Sequence, residues 1–99
     1  MKDKHITVIA RVKAKPGKEE DVLKELSSLI APSRQDAGCL NYELHRSASD
    51  PASFMFHENW ASRELLDRHL DKPDLQAALA RLSAWVAEPP EISLWDKIG

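Results

Sequence analysis

His69, Glu58 and Tyr42 are the side chains of this sequence best suited to moving a proton. His69 stands next to last in the run Ser-Arg-Glu-Leu-Leu-Asp-Arg-His-Leu over 62–70. Leu65, Leu66, His69 and Leu70 recur there at helical spacing, so the imidazole should face whatever the helix covers. An unperturbed imidazole titrates at about pH 6.5 and can take or give a proton near neutrality. The bland alternative is a structural histidine satisfied by a single hydrogen bond. Glu58 shares parity with Phe54, Phe56 and Trp60, so it should point inward from the end of a strand. A carboxylate placed there needs a partner or keeps its proton. Either it pairs with an arginine such as Arg11 or Arg46, from its own chain or from a second copy, or it belongs to a site. Tyr42 has the same inward parity and could offer its hydroxyl to a ligand or to one core hydrogen bond. Trp60, Phe56 and Leu66 are core candidates that could also wall a pocket for an aromatic molecule.

Other reactive residues carry less. The single Cys39 has no second cysteine or histidine at ligand spacing, and reads as a small buried hydrophobe. His45 and His57 share a strand face, but a metal site would need a third ligand. No metal and no cofactor is expected. There is no glycine-rich phosphate loop and no nucleophile–histidine–carboxylate pattern.

The elements that position these residues follow from periodicity. Residues 5–14 alternate, with Ile6, Val8, Ala10, Val12 and Ala14 on one side: a strand. Pro16-Gly17 is a turn signal. A helix is expected from Lys18 to Ala31, with Glu19, Glu20 and Asp21 in its first turn and a continuation past Pro32 compatible with the sequence. Residues 39–47 and 53–60 alternate and read as an antiparallel hairpin. Ser62 can cap the helix that carries His69. Pro73 interrupts it, and a second segment with Leu75, Leu79 and Leu82 follows. Pro89-Pro90 stops helical structure before a short strand, with Ile92 and Leu94 on one face and Ser93 and Trp95 on the other. The order β-α-β-β-α-β is that of a split βαβ, ferredoxin-like α+β sandwich with an antiparallel sheet.

Ninety-nine residues suit one domain, residues 1–99. With 42% apolar and 30% charged residues the composition is that of an ordinary globular chain, and no apolar run is long enough for a membrane span. The start Met1-Lys2-Asp3-Lys4-His5 lacks the apolar stretch of a signal peptide. A lone cysteine fits a reducing compartment, so the expected location is cytoplasmic. The formal net charge of −2 comes from 14 basic and 16 acidic residues interleaved along the chain. No basic stripe marks a nucleic-acid partner. A small molecule or a second protein chain is the expected partner.

One sheet with two helical segments covers only one of its faces. Ile6, Val8, Val12, Leu40, Tyr42, Leu44, Phe54, Phe56 and Trp60 should lie on the helix side. Thr7, Ile9, Arg11, Asn41, Glu43, His45, Met55, His57 and Asn59 should lie on the other. That second face is either solvated, as antiparallel sheets tolerate, or covered by a second copy in a homodimer. Trp85 and Trp95, which have no obvious place in so small a core, favour the homodimer.

Several segments resemble a known family. The Lys15-Pro16-Gly17-Lys18 turn before an acidic helix, the strand Gly38-Cys39-Leu40-Asn41-Tyr42-Glu43-Leu44, and the run Glu58-Asn59-Trp60-Ala61-Ser62-Arg63-Glu64 with Leu70 and Pro73 downstream are similar to the antibiotic biosynthesis monooxygenase (ABM) domain. The resemblance covers about Ile6 to Leu94. It implies a dimeric α+β barrel in which two sheets face each other, with a ligand pocket between helices and sheet. Family members include cofactor-free oxygenases of quinols and polycyclic phenols, haem-degrading enzymes and an isomerase, so the fold leaves the chemistry open. The haem-degrading branch uses an asparagine and a histidine at positions that align with Ala10 and Leu79, which removes the axial ligand. The polyketide-oxidising branch uses an asparagine where this chain has Phe56. The Trp60 and His69 pair looks most like the quinol-oxidising group.

The resemblance therefore implies a cofactor-independent monooxygenase acting on a quinol or phenolic small molecule. His69 is the expected base, Glu58 a second catalytic group, and Trp60, Tyr42, Phe56 and Leu66 the substrate wall. The alternatives are a non-oxidative isomerase in the same pocket and a non-catalytic small-molecule-binding stress-response dimer.

Overall fold

A computed structural model describes residues 5–99, so Met1–Lys4, on which the expectation of no signal peptide rests, lies outside the described residues. Strand β1 spans Ile6–Lys13 and is followed by the Pro16-Gly17 turn, where Gly17 takes φ +85°. Helix α1 (Glu19–Ser28) carries three acidic residues in its first turn, where the helix dipole favours them. Leu29 breaks the helical run, and a short α2 (Ile30–Arg34) continues it. The break comes before Pro32 rather than at it. Proline at the third position of a new helix lacks an N–H that would have had no intrahelical acceptor.

Strands β2 (Cys39–Arg46) and β3 (Ser53–Trp60) form the expected hairpin. Ser62 caps α3 (Arg63–Leu70), its Oγ accepting from the Leu65 N–H at 3.2 Å. Pro73 is the first residue of α4 (Pro73–Leu82), where its fixed φ suits a helix start. Strand β4 (Glu91–Trp95) is last. The four strands pair antiparallel in the order β2-β3-β1-β4. β1 and β2 flank β3 and so run parallel to each other, which makes this the ferredoxin-like split βαβ arrangement.

The core lies between sheet and helices. Val8, Val12, Tyr42, Phe54, Phe56 and Trp60 from the sheet pack with Val22, Leu26, Leu66 and Leu82 from the helices. Leu40 departs from the alternation expected of β2. A β-bulge between Cys39 and Asn41 puts Cys39 opposite Trp60 and leaves Leu40 50% exposed. Trp85 packs against the core edge, whereas Trp95 is 57% exposed.

The uncovered face carries a polar ladder. Thr7 Oγ1 donates to Asn59 Oδ1 at 2.6 Å, and Asn59 Nδ2 donates to Asn41 Oδ1 at 2.7 Å. Asn41 Nδ2 in turn meets the His57 ring nitrogen at 3.3 Å. His57, which shares this face with His45, is thus engaged by an amide. Among the described residues, no helix is long and apolar enough to cross a membrane.

Candidate active site

Helix α3 points His69 inward as its spacing predicts, and the residue is 4% exposed. Its ring lies against the Trp60 indole, with centroids 4.5 Å apart and planes 32° apart. The Tyr42 ring meets it edge-on at 5.7 Å, and Phe56 lies 4.6 Å beyond Tyr42. Leu66 is fully buried in the same cluster. Trp60, Tyr42, Phe56 and Leu66 are therefore brought together as expected, but they fill the space between helix and sheet with their own side chains. The opening beside His69 is elsewhere. It is a cavity of about 220 Å³ between α2 and α4, lined by His69, Asp36, Lys72, Leu29, Pro32 and Leu75 among others.

Asp36 is the residue that the sequence did not disclose. Its Oδ2 lies 2.8 Å from His69 Nδ1, and its Oδ1 is held by the Lys72 ammonium. Burial pushes the carboxyl up, but the Lys72 and His69 contacts outweigh that and hold it below the ordinary aspartate value. Asp36 is thus an ionised acceptor. The hydrogen in its bond to His69 must sit on Nδ1, which leaves Nε2 with the basic lone pair in the neutral ring.

The local chain makes this meeting possible. Asp36 and Gly38 form the turn between α2 and β2, closed by Cys39 N–H donating to the Asp36 carbonyl at 3.1 Å. Gly38 takes φ +85°, and its carbonyl accepts from the Ala61 N–H at 2.8 Å. A Cβ at Gly38 would lie 2.5 Å from Leu65 Cδ1. Leu65 and His69 are four apart on one helix face, so the same close approach that requires glycine at 38 brings Asp36 to His69.

Glu58 sits between Val8 on β1 and Tyr42 on β2, and is 4% exposed. Within the chain neither Arg11 nor Arg46 reaches it. Arg11 faces Glu91 and Arg46 faces Glu20, with the Arg46 guanidinium over the Phe54 ring. Its partner is the Trp60 indole, whose Nε1–H donates to Oε1 at 2.9 Å. Burial raises the Glu58 carboxyl to about 7, with the indole bond offsetting part of the rise. Glu58 reaches His69 through Trp60, because the indole carries the carboxylate on its edge and the imidazole on its face. Burial and the charge of Glu58 push the Tyr42 phenol well above its usual range, so this hydroxyl is a donor rather than a base. Cys39, raised by burial, is a thiol rather than a thiolate.

Fold and site together define a ferredoxin-like α+β domain with a buried aspartate–histidine pair where helix meets sheet. The profile of the family described as antibiotic biosynthesis monooxygenase matches residues 5–81, and the chain belongs to that family. It is 31% identical over 93 residues to the uncharacterized protein sll1783 of Synechocystis, covering 94% of this chain. The chain spans about 63% of the length of that relative. The crystal structure of PA3566 from Pseudomonas aeruginosa superimposes with a TM-score of 0.92 at 30% identity, covering 100% of this chain and 99% of that one. A crystal structure titled antibiotic biosynthesis monooxygenase gives 0.88 at 29% identity, covering 95% and 99%.

Proposed function

We propose that the chain is a cytoplasmic, homodimeric, cofactor-independent monooxygenase that oxidises a quinol or other phenolic small molecule, with His69 as the base. The observation that carries this reading is the ionised Asp36 on His69 Nδ1, which makes Nε2 the basic nitrogen of the ring. The family name and the relative titled as a monooxygenase support the oxidative assignment. Deprotonation makes a phenol electron-rich enough to reduce dioxygen itself. The substrate then gives two hydrogens to one oxygen atom, which leaves as water, and takes up the other. Trp60 and Tyr42 back the imidazole and keep water from it, with Phe56 and Leu66 packed in the same core. Glu58 acts through the Trp60 indole, whose position it fixes.

Oxygen uptake with a hydroquinone is the test. Purified protein should consume oxygen faster than background autoxidation, and His69→Ala should remove the difference. Product formation without oxygen would favour the isomerase alternative, and ligand-dependent stabilisation without any product would favour the binding dimer.

A further inference from the structure

Two cations, Lys72 and Arg81, line the cavity beside His69, and they are held differently. Arg81 on α4 is clamped to Glu25 of α1 by two hydrogen bonds, at 3.0 and 2.8 Å. Lys72 precedes α4 at its joint with α3, is half exposed, and rests its ammonium on Asp36 Oδ1. Asp36 therefore bridges Lys72 and His69 with its two oxygens. The charged and titratable groups around Lys72 are Asp36 from the α2–β2 turn, His69 of α3, and Asp74 and Arg81 of α4, with Glu25 occupied by Arg81.

We propose that the α2–α4 cleft binds single-ring hydroxyarenes as their anions, with Lys72 moving from Asp36 to become the counter-ion of the ring oxygen. The inference rests on His69 being the base. A proton passing from the ring hydroxyl to Nε2 turns His69 into an imidazolium beside Asp36 and leaves a negative ring oxygen. Asp36 is then neutralised by the imidazolium, and Lys72 is released to the new anion. The net charge of the cleft does not change, and two ion pairs replace one. The apolar flank of Leu29, Pro32 and Leu75 suits the face of a ring. The volume admits one ring: about 220 Å³ exceeds the roughly 150 Å³ that takes benzene in an engineered cavity.

The probe is 4-nitrophenol, whose anion has its own visible absorption band and which need not turn over. At a pH below its solution pKa, the wild-type protein should bind it with the anion band present. Lys72→Met should weaken anion binding by about tenfold or more, the loss of one charge-assisted contact, and Lys72→Arg should restore it. Absence of the band with the wild-type protein, or a Lys72→Met protein that binds the anion within about twofold of wild type, overturns the proposal. A wild-type protein that shows the band yet consumes no oxygen keeps this inference and removes the oxygenase reading. Oxygen consumption with an unaltered band in Lys72→Met does the reverse.

Discussion

The carboxylate of Asp36 and the imidazole of His69 meet through Oδ2 and Nδ1 at 2.8 Å, across 33 positions of sequence. The contact fixes which ring nitrogen is basic. Asp36→Asn replaces an obligate acceptor with a side chain that can donate to Nδ1, and so favours the tautomer with the hydrogen on Nε2. General-base catalysis is worth on the order of a hundredfold or more. The asparagine variant should lose about that much in kcat/KM for quinol oxidation while retaining its fold by circular dichroism. Activity within about threefold of wild type would remove His69 from the role of base.

Glu58 makes the stability of the protein depend on pH in an unusual direction for a carboxylate. Its folded value of about 7 lies above the ordinary 4.5, so the native state holds the proton more tightly than the unfolded chain between those limits. Stability is therefore greatest below about pH 4.5 as far as this group is concerned, falls as pH rises to about 7, and is level above that. The difference is about 3 kcal/mol. Glu58→Gln keeps an oxygen for the Trp60 indole and has no charge to desolvate. Urea unfolding should find the glutamine variant more stable than wild type at pH 8 by up to that amount, with the advantage gone near pH 4.5. An equal difference at both pH values would contradict the assignment.

Two glycines separate backbone strain from crowding. Gly17 and Gly38 both take φ +85°, but a Cβ at Gly17 meets nothing within 4 Å whereas one at Gly38 strikes Leu65. Gly17→Ala should lower stability by roughly 1–2 kcal/mol, from the left-handed backbone alone. Gly38→Ala should lower it by a further 1–3 kcal/mol or so, from the forced retreat of α3. Because that retreat moves His69 from Asp36, the Gly38 variant should also lose oxygen uptake under conditions where it remains folded. Equal melting temperatures for the two variants would show that helix and turn separate without resistance.

The uncovered face gives the fourth prediction. It presents Ile9 and Met55 half-buried beside an exposed Trp95, with the Thr7–Asn59–Asn41 ladder between strands. Light scattering at micromolar concentration should report twice the chain mass, and Ile9→Asp should return the monomer. A wild-type monomer would set the homodimer aside.

The alternation of β1, β2 and β3 and the helical spacing of Leu65, Leu66 and His69 made the layers legible, because each element has one face that must be dry. The inward parity of Glu58 was legible for the same reason. Its partner was not: side-chain parity says which face a residue joins, but not that Trp60, two residues on, would turn its indole N–H back to it. The bulge at Leu40 was hidden because Leu40 is itself apolar and continues the alternation of Tyr42 and Leu44, so no change of phase is visible. Asp36 was hidden because a carboxylate in a turn between helix and strand is an ordinary solvated residue until tertiary contact places it. The signal that could have found it was the adjacent Gly38, which marks a close approach of backbone to another element.

The separation of Asp36 from His69 also governs when reactivity can arise as the chain folds. Helix α3 has eight residues and a Ser62 cap, so without the rest of the molecule it can be visited only transiently. The paired base cannot form even then, because it requires the turn before β2 to dock onto that helix and close a loop of 33 positions. A chain that has gained its helices but not this docking has no oriented imidazole. During refolding, recovery of turnover should never run ahead of recovery of helical signal, because the oriented imidazole needs the docked turn.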